Sequence, residues 1–509
     1  MFAKVKSMGL FGMEAYTVDV ETDISGGLPA FEIVGLPDKS VSEAKDRVRS
    51  AVKNCGFKFP VSRITVNLAP ADTRKEGPIY DLAIFVGILK SFEQIKYATD
   101  SYAFLGELAL NGEIRKVNGV LPMVIKAREA GVSGVFVPRE NALEGAVVKG
   151  IDVLPADNVF QVLDHLSGNE TIAPAVPIKN SSMFSFNADF ADVKGQFEAR
   201  RALEVAAAGG HNVIMIGAPG SGKSMLAKRL PSILPSMTFE ESLETTKIYS
   251  VTGSLPDGVS LITERPFRAP HHSVSTAGLS GGGNGRTIKP GEVSLAHNGV
   301  LFLDELPEFK RAALEVLRQP LEDERIVISR VAGTVSYPCS VMLVCAMNPC
   351  PCGFYGHPSK KCTCPPGAAQ RYLSRVSGPL LDRIDIHIEV PPVDFEKLSD
   401  SEKGESSAEM RKRVEKARLV QQKRFEGTGV TSNAHMSAGM TREFCRPVPA
   451  AMKMLENAFE RMGLSARAYD KILRVSRTVA DLDGSEKIET EHIAEAIQYR
   501  SLDRKFWNR

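Results

Sequence analysis

The sequence has no apolar run long enough to cross a membrane, and its first residues lack the apolar core and cleavage site of a secretory signal peptide. We therefore expect a cytoplasmic protein with no membrane partner. The chain also has little net charge, because 63 Lys and Arg residues face 61 Asp and Glu residues, for a formal charge of +2. This balance neither indicates nor excludes nucleic acid as a partner, and any basic surface must be local.

Cysteine is scarce as well, with 8 residues in a chain of 509, which excludes a disulfide scaffold. Four of the eight nevertheless lie between positions 350 and 364, which indicates a local cluster. Hydrophobic residues make up 43% of the chain and charged residues 24%, as in an ordinary globular protein. The length predicts more than one domain.

The clearest motif follows the short apolar run Val213–Ile216, which is typical of a buried parallel strand. A glycine-rich loop comes next, and a helical segment then runs to Pro231. Strand, loop and helix in this order predict a P-loop that binds a nucleoside triphosphate and Mg²⁺. Lys223 would reach the phosphates and the Ser224 hydroxyl would ligate the metal. The predicted nucleotide contacts are Gly217, Pro219, Gly220, Ser221, Gly222, Lys223, Ser224 and Met225.

Polar residues follow two further apolar strands. Val300–Leu303 leads into Asp304 and Glu305, at the end of a strand where open α/β sheets bind ligands. Asp304 would hold Mg²⁺, and Glu305 would polarise the attacking water. The strand at 341–347 ends at Asn348, which would bond the γ-phosphate or orient the water. The alternative for Asn348 is a turn residue before Pro349.

The four clustered cysteines, Cys350, Cys352, Cys362 and Cys364, form two close pairs separated by nine residues. They have the ligand count of a structural zinc site, although the spacing departs from the usual C-x₂-C pattern. His357 lies between the pairs as a spare ligand. The alternative is a set of reduced or redox-active cysteines without metal.

The pattern of elements predicts an α/β protein in several parts. Residues 1–168 alternate short strands and helices, as in an α/β domain, and residues 169–187 have the composition of a linker. Residues 188–394 form the nucleotide core, with inserts at 255–297 and at 325–337. The second insert is a predicted β-hairpin. Residues 395–509 are predicted to be helical, with helices at 406–425, 442–462 and 466–481 among them.

The first domain is similar to the proteolytic domain of Lon proteases through the segment Gly106–Gly119 and the pair Gly77-Pro78. Lon catalysis needs a Ser and a Lys within hydrogen-bonding reach. The matching positions hold Ile79 and Leu121, and neither side chain can do this chemistry. The resemblance therefore implies a Lon-like (S5-like) fold without peptidase activity.

The segment Pro290–Phe309 resembles the signature of the YifB/ComM family of magnesium-chelatase-like AAA+ proteins, and the resemblance covers essentially the whole chain. It implies an AAA+ core with β-hairpin inserts and a C-terminal helical lid. It also implies a homohexameric ring that uses ATP to drive branch migration of DNA in recombination or natural transformation. The implied partners are single-stranded or branched DNA and recombination proteins.

The same resemblance implies roles for residues outside the phosphate motifs. Val193 and Gly195 would contact the adenine, with a plain helix start as the alternative. Arg383 would be a trans-acting arginine finger, the alternative being a salt bridge with Asp382 or Asp385. Arg467 would reach the nucleotide from the lid.

In rings of magnesium-chelatase-like AAA+ proteins both inserts point toward the pore. The resemblance therefore implies that the arginines of the inserts meet DNA phosphates. The alternative for these arginines is salt bridges between subunits. Two rival functions remain at this point: a remodeller or chelatase-type subunit acting on a polypeptide, and a scaffold held together by ATP. The intact Glu305 argues against the scaffold. The predicted DNA contacts are Arg265, Arg268, Arg325 and Arg330, with Arg286 in the glycine-rich run.

Overall fold

The computed structural model describes residues 1–178, 188–283, 288–330, 333–357, 359–392 and 404–507. Contacts within the chain define two compact units. The first comprises Met1–Met183, Phe239–Thr263 and Ser329–Ser336, and the second comprises Phe184–Thr238, Glu264–Ile328 and Tyr337–Arg509. Among the described residues, no helix combines the length and the apolar character that crossing a membrane requires.

The first unit contains a seven-stranded mixed sheet with the strand order β3-β4-β2-β1-β5-β8-β9. The pair β1 and β2 is antiparallel, whereas β5, β8 and β9 run parallel to one another. A short antiparallel pair, β6 and β7, lies outside this sheet. The strands are β1 (Phe2–Phe11), β2 (Glu14–Ser25), β3 (Ala30–Val34), β4 (Arg63–Ala69), β5 (Tyr102–Phe104), β6 (Glu107–Leu108), β7 (Ile114–Arg115), β8 (Gly134–Pro138) and β9 (Asp152–Ala156).

Helices of the first unit pack their apolar faces onto one core. The helix Lys39–Asn54 begins at Asp38, whose carboxylate accepts a hydrogen bond from the backbone N–H of Val41 at 2.7 Å. Ile79 and Leu121, the two residues that the resemblance matches to the Lon catalytic pair, are both buried in this apolar core. The α-helices are Lys39–Asn54, Asp81–Ser91, Val120–Glu129, Ala142–Gly145, Val159–Ser167 and Phe239–Thr252, with 3₁₀ turns at Pro78–Tyr80 and Arg139–Asn141.

The second unit is built on a five-stranded parallel sheet with the strand order β11-β14-β17-β10-β18. The three central strands are buried along their whole length, which explains their unbroken apolar sequences. Because they run parallel, the residues that follow them meet at one edge of the sheet. The strands are β10 (Val213–Ile216), β11 (Phe267–Arg268), β14 (Val300–Leu303), β17 (Met342–Met347) and β18 (Ile386–Glu389).

Two short antiparallel ribbons lie in the predicted inserts. The first pairs β12 (Gly281–Gly282) with β13 (Lys289–Pro290), and Arg286 between them lies outside the described residues. The second pairs β15 (Arg325–Arg330) with β16 (Gly333–Pro338), which confirms the predicted hairpin.

The C-terminal region is helical as predicted, but the single helix expected at 442–462 is wrong. The chain forms two helices, Ala438–Phe444 and Pro449–Met462, because Pro447 and Pro449 supply no backbone N–H and disfavour helical geometry before them. The other helices here are Ser407–Arg424, Ala466–Asp483, Thr490–Gln498 and Ser501–Trp507, with a 3₁₀ turn at Asn433–His435.

The second unit also contains helices that precede those of the C-terminal region in the chain. They are Phe197–Gly209, Lys223–Arg229, Thr276–Ser280, Glu292–Leu295, Arg311–Glu315, Pro320–Asp323, Ala368–Leu373 and Gly378–Leu381, with 3₁₀ turns at Phe190–Asp192, Leu230–Ile233 and Leu306–Glu308.

Candidate nucleotide site

The glycine-rich loop joins the end of β10 to the helix that begins at Lys223. A Cβ atom at Gly217 would lie 2.3 Å from the carbonyl oxygen of Val390, so no larger residue fits there. Gly220 and Gly222 have φ values of +77° and +95°, a region that side chains disfavour. The loop conformation therefore depends on these glycines. Met225, also predicted to contact the nucleotide, lies half-buried in the first turn of the helix that follows.

The Lys223 ammonium is turned back into this loop. It donates to the carbonyl oxygens of Gly217 at 2.8 Å and Ala218 at 2.9 Å, and to the Asn348 side-chain oxygen at 3.2 Å. Burial lowers the pKa of Lys223, while the charge of Asp304 opposes that shift. The structure thus brings together Lys223, Asp304 and Asn348, from three different strand ends. Phosphate oxygens of a bound nucleotide can take the place of the loop carbonyls.

Asp304, the first residue after β14, links the end of this strand to the P-loop helix. The Ser224 hydroxyl donates to one oxygen of Asp304 at 2.6 Å, and the backbone N–H of Glu305 donates to the other at 2.9 Å. A hydroxyl and a carboxylate this close are the hard oxygen ligands that Mg²⁺ prefers. The residues present therefore fit the magnesium site predicted at Ser224 and Asp304.

Glu305 has a left-handed backbone, with φ of 52°. Such a conformation costs about 1–3 kcal/mol in a residue with a side chain, and it is common where a functional group must be aimed. The carboxylate is 58% exposed and lies 3.3 Å from Nδ1 of His272. No local sequence pattern predicts this contact, since the two residues are far apart in the chain. It arises because β11, just before His272, pairs with β14.

The segment before the helix Phe197–Gly209 adjoins the P-loop through Gln196, a contact that no sequence pattern predicts. The Gln196 amide donates to the carbonyl oxygens of Ser221 at 3.3 Å and Pro391 at 2.6 Å. Val193 is buried and Gly195 has φ of +62°. The adenine contacts at Val193 and Gly195 stay a prediction.

Arg383 and Arg467 lie apart from this group, in a cavity of about 390 Å³ that Asp382, Lys471 and Arg474 also line. The described residues lining this cavity include none from the P-loop, and neither Asp304, Glu305 nor Asn348. Arg467 is 65% exposed and lies 4.0 Å from Asp382. The structure thus brings the two arginines to one face of the unit but does not bring them to Lys223.

Arg383 does form an intrachain salt bridge, but the partners named from the sequence are wrong. Its guanidinium pairs with Glu322 at 2.6 Å and donates to the carbonyl oxygens of Arg318 and Pro379. Asp385 instead pairs with Lys471 at 2.9 Å. The side chain of Arg383 is only 11% exposed in this state.

The four arginines predicted to contact DNA fall into two pairs. Arg265 donates to the carbonyl oxygens of Pro235, Ser236 and Asn298, and Arg268 forms a bidentate pair with Glu292 at 2.7 and 2.8 Å. A DNA contact by either would compete with these bonds for the guanidinium donors. Arg325 and Arg330 are exposed on the hairpin.

The four clustered cysteines converge as the sequence predicted. All are free thiols, and their sulfur atoms lie within 4.8 Å of one another. His357, predicted as a spare ligand, is not part of this convergent group of ligand atoms. Its Nδ1 accepts hydrogen bonds from the backbone N–H groups of Ser359 and Lys360.

Three stretches of the chain match protein families that are described by the ChlI subunit of magnesium chelatase. Residues 189–398 match the family described as magnesium chelatase, subunit ChlI, and residues 20–141 match the family described as subunit ChlI of Mg-chelatase. Residues 404–500 match the family described as magnesium chelatase, subunit ChlI C-terminal.

Full-length relatives are similar to the chain from end to end. Competence protein ComM of Haemophilus influenzae is 43% identical over 511 residues, covering 99% of this chain and 98% of that protein. The uncharacterised protein YifB of Escherichia coli is 42% identical over 502 residues, covering 98% and 97%. Lon protease 2 of Bacillus subtilis is 28% identical over 152 residues, which cover 28% of this chain and 27% of that protein.

Replacing Glu305 by Gln removes the carboxylate that would accept the proton of the attacking water and keeps its shape. We expect turnover of ATP to fall by about 100-fold or more, while ATP binding persists because Lys223 and Ser224 are intact. Steady-state hydrolysis and binding of a fluorescent ATP analogue measure the two effects. Glu308→Gln, in the adjoining turn, is the matched control. Near-normal turnover in Glu305→Gln would remove Glu305 from this role.

Proposed function

The chain belongs to the ComM/YifB family of magnesium-chelatase-like AAA+ ATPases, and from this premise we propose that it is a ring-shaped motor acting on single-stranded or branched DNA. The reaction would be ATP-driven branch migration in recombination or natural transformation. Its partners would be recombination proteins, and its place of work would be the cytoplasm. The printed name of the Haemophilus relative, a competence protein, supports this reading.

The observation that best supports a ring assembly is that the predicted catalytic residues lie in two separate places. Lys223, Ser224, Asp304 and Asn348 form one cluster, and the cavity that holds Arg383 and Arg467 contains none of them. A guanidinium at the γ-phosphate stabilises the charge of the transition state. Among the residues that the structure describes, neither Arg383 nor Arg467 lies in this cluster, so a neighbouring subunit would supply the guanidinium. A homohexamer, as the family resemblance implies, repeats this arrangement at each interface.

Glu322 holds Arg383 in the single chain. A neighbour's triphosphate carries more negative charge than one carboxylate and offers bidentate oxygens, so it would compete for this guanidinium. Docking of a nucleotide-loaded neighbour would therefore complete the site. Arg467, exposed beside Asp382, would reach the same nucleotide from the lid helices.

The roles within one site follow from its contacts. Lys223 would bind the phosphates, Ser224 and Asp304 would hold Mg²⁺, and Asn348 would orient the γ-phosphate. The metal would neutralise developing charge on the phosphate oxygens. Glu305 would take the proton of the attacking water, and its contact with His272 fixes where that carboxylate lies.

DNA would meet the ring at the β15–β16 hairpin. Arg325 and Arg330 are exposed there, and cations on a pore hairpin contact phosphates regardless of base sequence. The hairpin leads toward β17, which ends at Asn348. Loss of the γ-phosphate at Asn348 would thus shift the hairpin and move the bound strand.

Mixing two inactive variants tests the shared site. Arg383→Ala and Lys223→Ala should each abolish turnover. In a mixed ring, a chain with intact Lys223 meets a neighbour with intact Arg383 at about a quarter of the interfaces. We expect hydrolysis to return on mixing and to rise with protein concentration. Mixing the Lys223→Ala/Arg383→Ala double variant with either single variant is the control and should restore nothing. Absence of recovery, or full activity in a strict monomer, would exclude a trans-acting Arg383.

Removal of the hairpin cations tests the DNA contact. We expect the double variant Arg325→Ala/Arg330→Ala to bind DNA more weakly, with a salt slope shallower by about one or two counterions, and to lose junction migration. Its DNA-free hydrolysis reports on folding and ring assembly. The matched control is Arg442→Ala/Arg446→Ala, which removes two exposed arginines from the helical region. Unchanged DNA affinity with lost assembly would favour salt bridges between subunits.

A further inference from the structure

The cluster Cys350, Cys352, Cys362 and Cys364 has no role in the mechanism above. Three of its sulfur–sulfur distances are 3.4, 3.5 and 3.8 Å. In a tetrahedral site with Zn–S bonds of about 2.3 Å, the sulfur atoms lie about 3.8 Å apart. The four thiols therefore already stand at nearly the separation that one tetrahedral metal ion imposes.

Backbone groups around the cluster also suit bound thiolates. The N–H of Cys352 points at the sulfur of Cys364 at 3.4 Å, and the N–H of Tyr355 points at the sulfur of Cys350 at 3.3 Å. Such outer hydrogen bonds orient metal ligands and stabilise their negative charge. Cys350 is fully buried, whereas the other three are half-buried, so the site is closed on one side and reachable from the other.

The cysteine loop is attached to the nucleotide site at two points. Cys350 follows Asn348 by two residues, and Asn348 contacts Lys223. Gly353, with φ of +83°, lies so close to the P-loop that a Cβ atom there would come within 2.2 Å of the Pro219 ring. The loop therefore packs against the P-loop at Pro219, while its first residues continue from the strand that ends before Asn348.

We propose that Cys350, Cys352, Cys362 and Cys364 bind one Zn²⁺ ion and that the zinc-bound loop braces the P-loop through Gly353 and Pro219. The metal fixes a loop that has little other regular structure, since no helix or strand occurs between β17 and Ala368 among the described residues. Fixing this loop holds Pro219 and Asn348 in the positions that bind a triphosphate. This proposal shares one requirement with the proposed function, which is that ATP binds at Lys223. It does not depend on DNA.

Metal analysis tests the first half of the proposal. Protein purified without chelator should carry about one zinc per chain. Cys362→Ser/Cys364→Ser should lose the metal, whereas Cys55→Ser, a free thiol in the first unit, should keep it. Replacement by Co²⁺ should give the absorption bands of a tetrahedral thiolate site. Protein without zinc, protein carrying an iron–sulfur cluster instead, or zinc retained by Cys362→Ser/Cys364→Ser, would overturn the assignment.

A pair of glycine variants tests the brace. Gly353→Ala places a methyl group against Pro219, and we expect it to keep zinc but to bind a fluorescent ATP analogue about tenfold more weakly, since small displacements of a binding group have effects of this size. Gly356→Ala lies in the same loop with φ of +73° and faces open space, apart from Lys505 Cε at 4.0 Å. It shares the backbone strain and should bind the analogue normally.

Three outcomes separate this proposal from the proposed function. Unchanged affinity in Gly353→Ala would overturn the brace and leave the zinc assignment intact. Equal losses in both glycine variants would assign the effect to backbone strain and would also overturn it. Absence of DNA-stimulated hydrolysis would contradict the proposed function without bearing on either zinc or the brace, because metal content and analogue binding are measured without DNA.

Discussion

The hydrogen bond between the Ser224 hydroxyl and the Asp304 carboxylate, 2.6 Å long, ties the P-loop helix to the end of the central strand β14. Lys223 and Asn348 make the corresponding link to β17. These contacts exist only because parallel strands deliver their carboxyl ends to one edge of the sheet. The roles proposed for Arg383 and Arg467, for the two inserts and for the cysteine loop all require that this edge of the sheet stays assembled.

Most of the site could be predicted from the sequence, because its parts are short and their physics is local. Apolar runs at Val213–Ile216 and Val300–Leu303 identify buried parallel strands, and the polar residues after them must share an edge. Glycine at 217, 220 and 222 predicts a loop that admits phosphate oxygens. The crowding of four cysteines into 15 positions predicted a local cluster, and their sulfur atoms converge in the structure.

Other features depend on contacts between distant residues that no local pattern encodes. The Glu305–His272 contact requires the pairing of β11 with β14, and the partner of Arg383 is Glu322 rather than a neighbouring aspartate. The pairing of Arg268 with Glu292 likewise joins residues 24 positions apart, and the DNA contact of Arg268 stays a prediction. The break between the helices Ala438–Phe444 and Pro449–Met462 has a local cause. Pro447 and Pro449 predict an end to any helix that enters this segment.

We propose that ATP hydrolysis at this edge of the sheet drives work on DNA. The most direct test is steady-state hydrolysis, at concentrations where rings form, without DNA and with single-stranded, duplex or four-way-junction DNA. We expect single-stranded or junction DNA to raise turnover above the DNA-free rate, and this stimulation to decline as salt weakens the phosphate contacts. Turnover that no DNA changes, but that a polypeptide partner stimulates, would contradict a DNA motor and favour a protein remodeller.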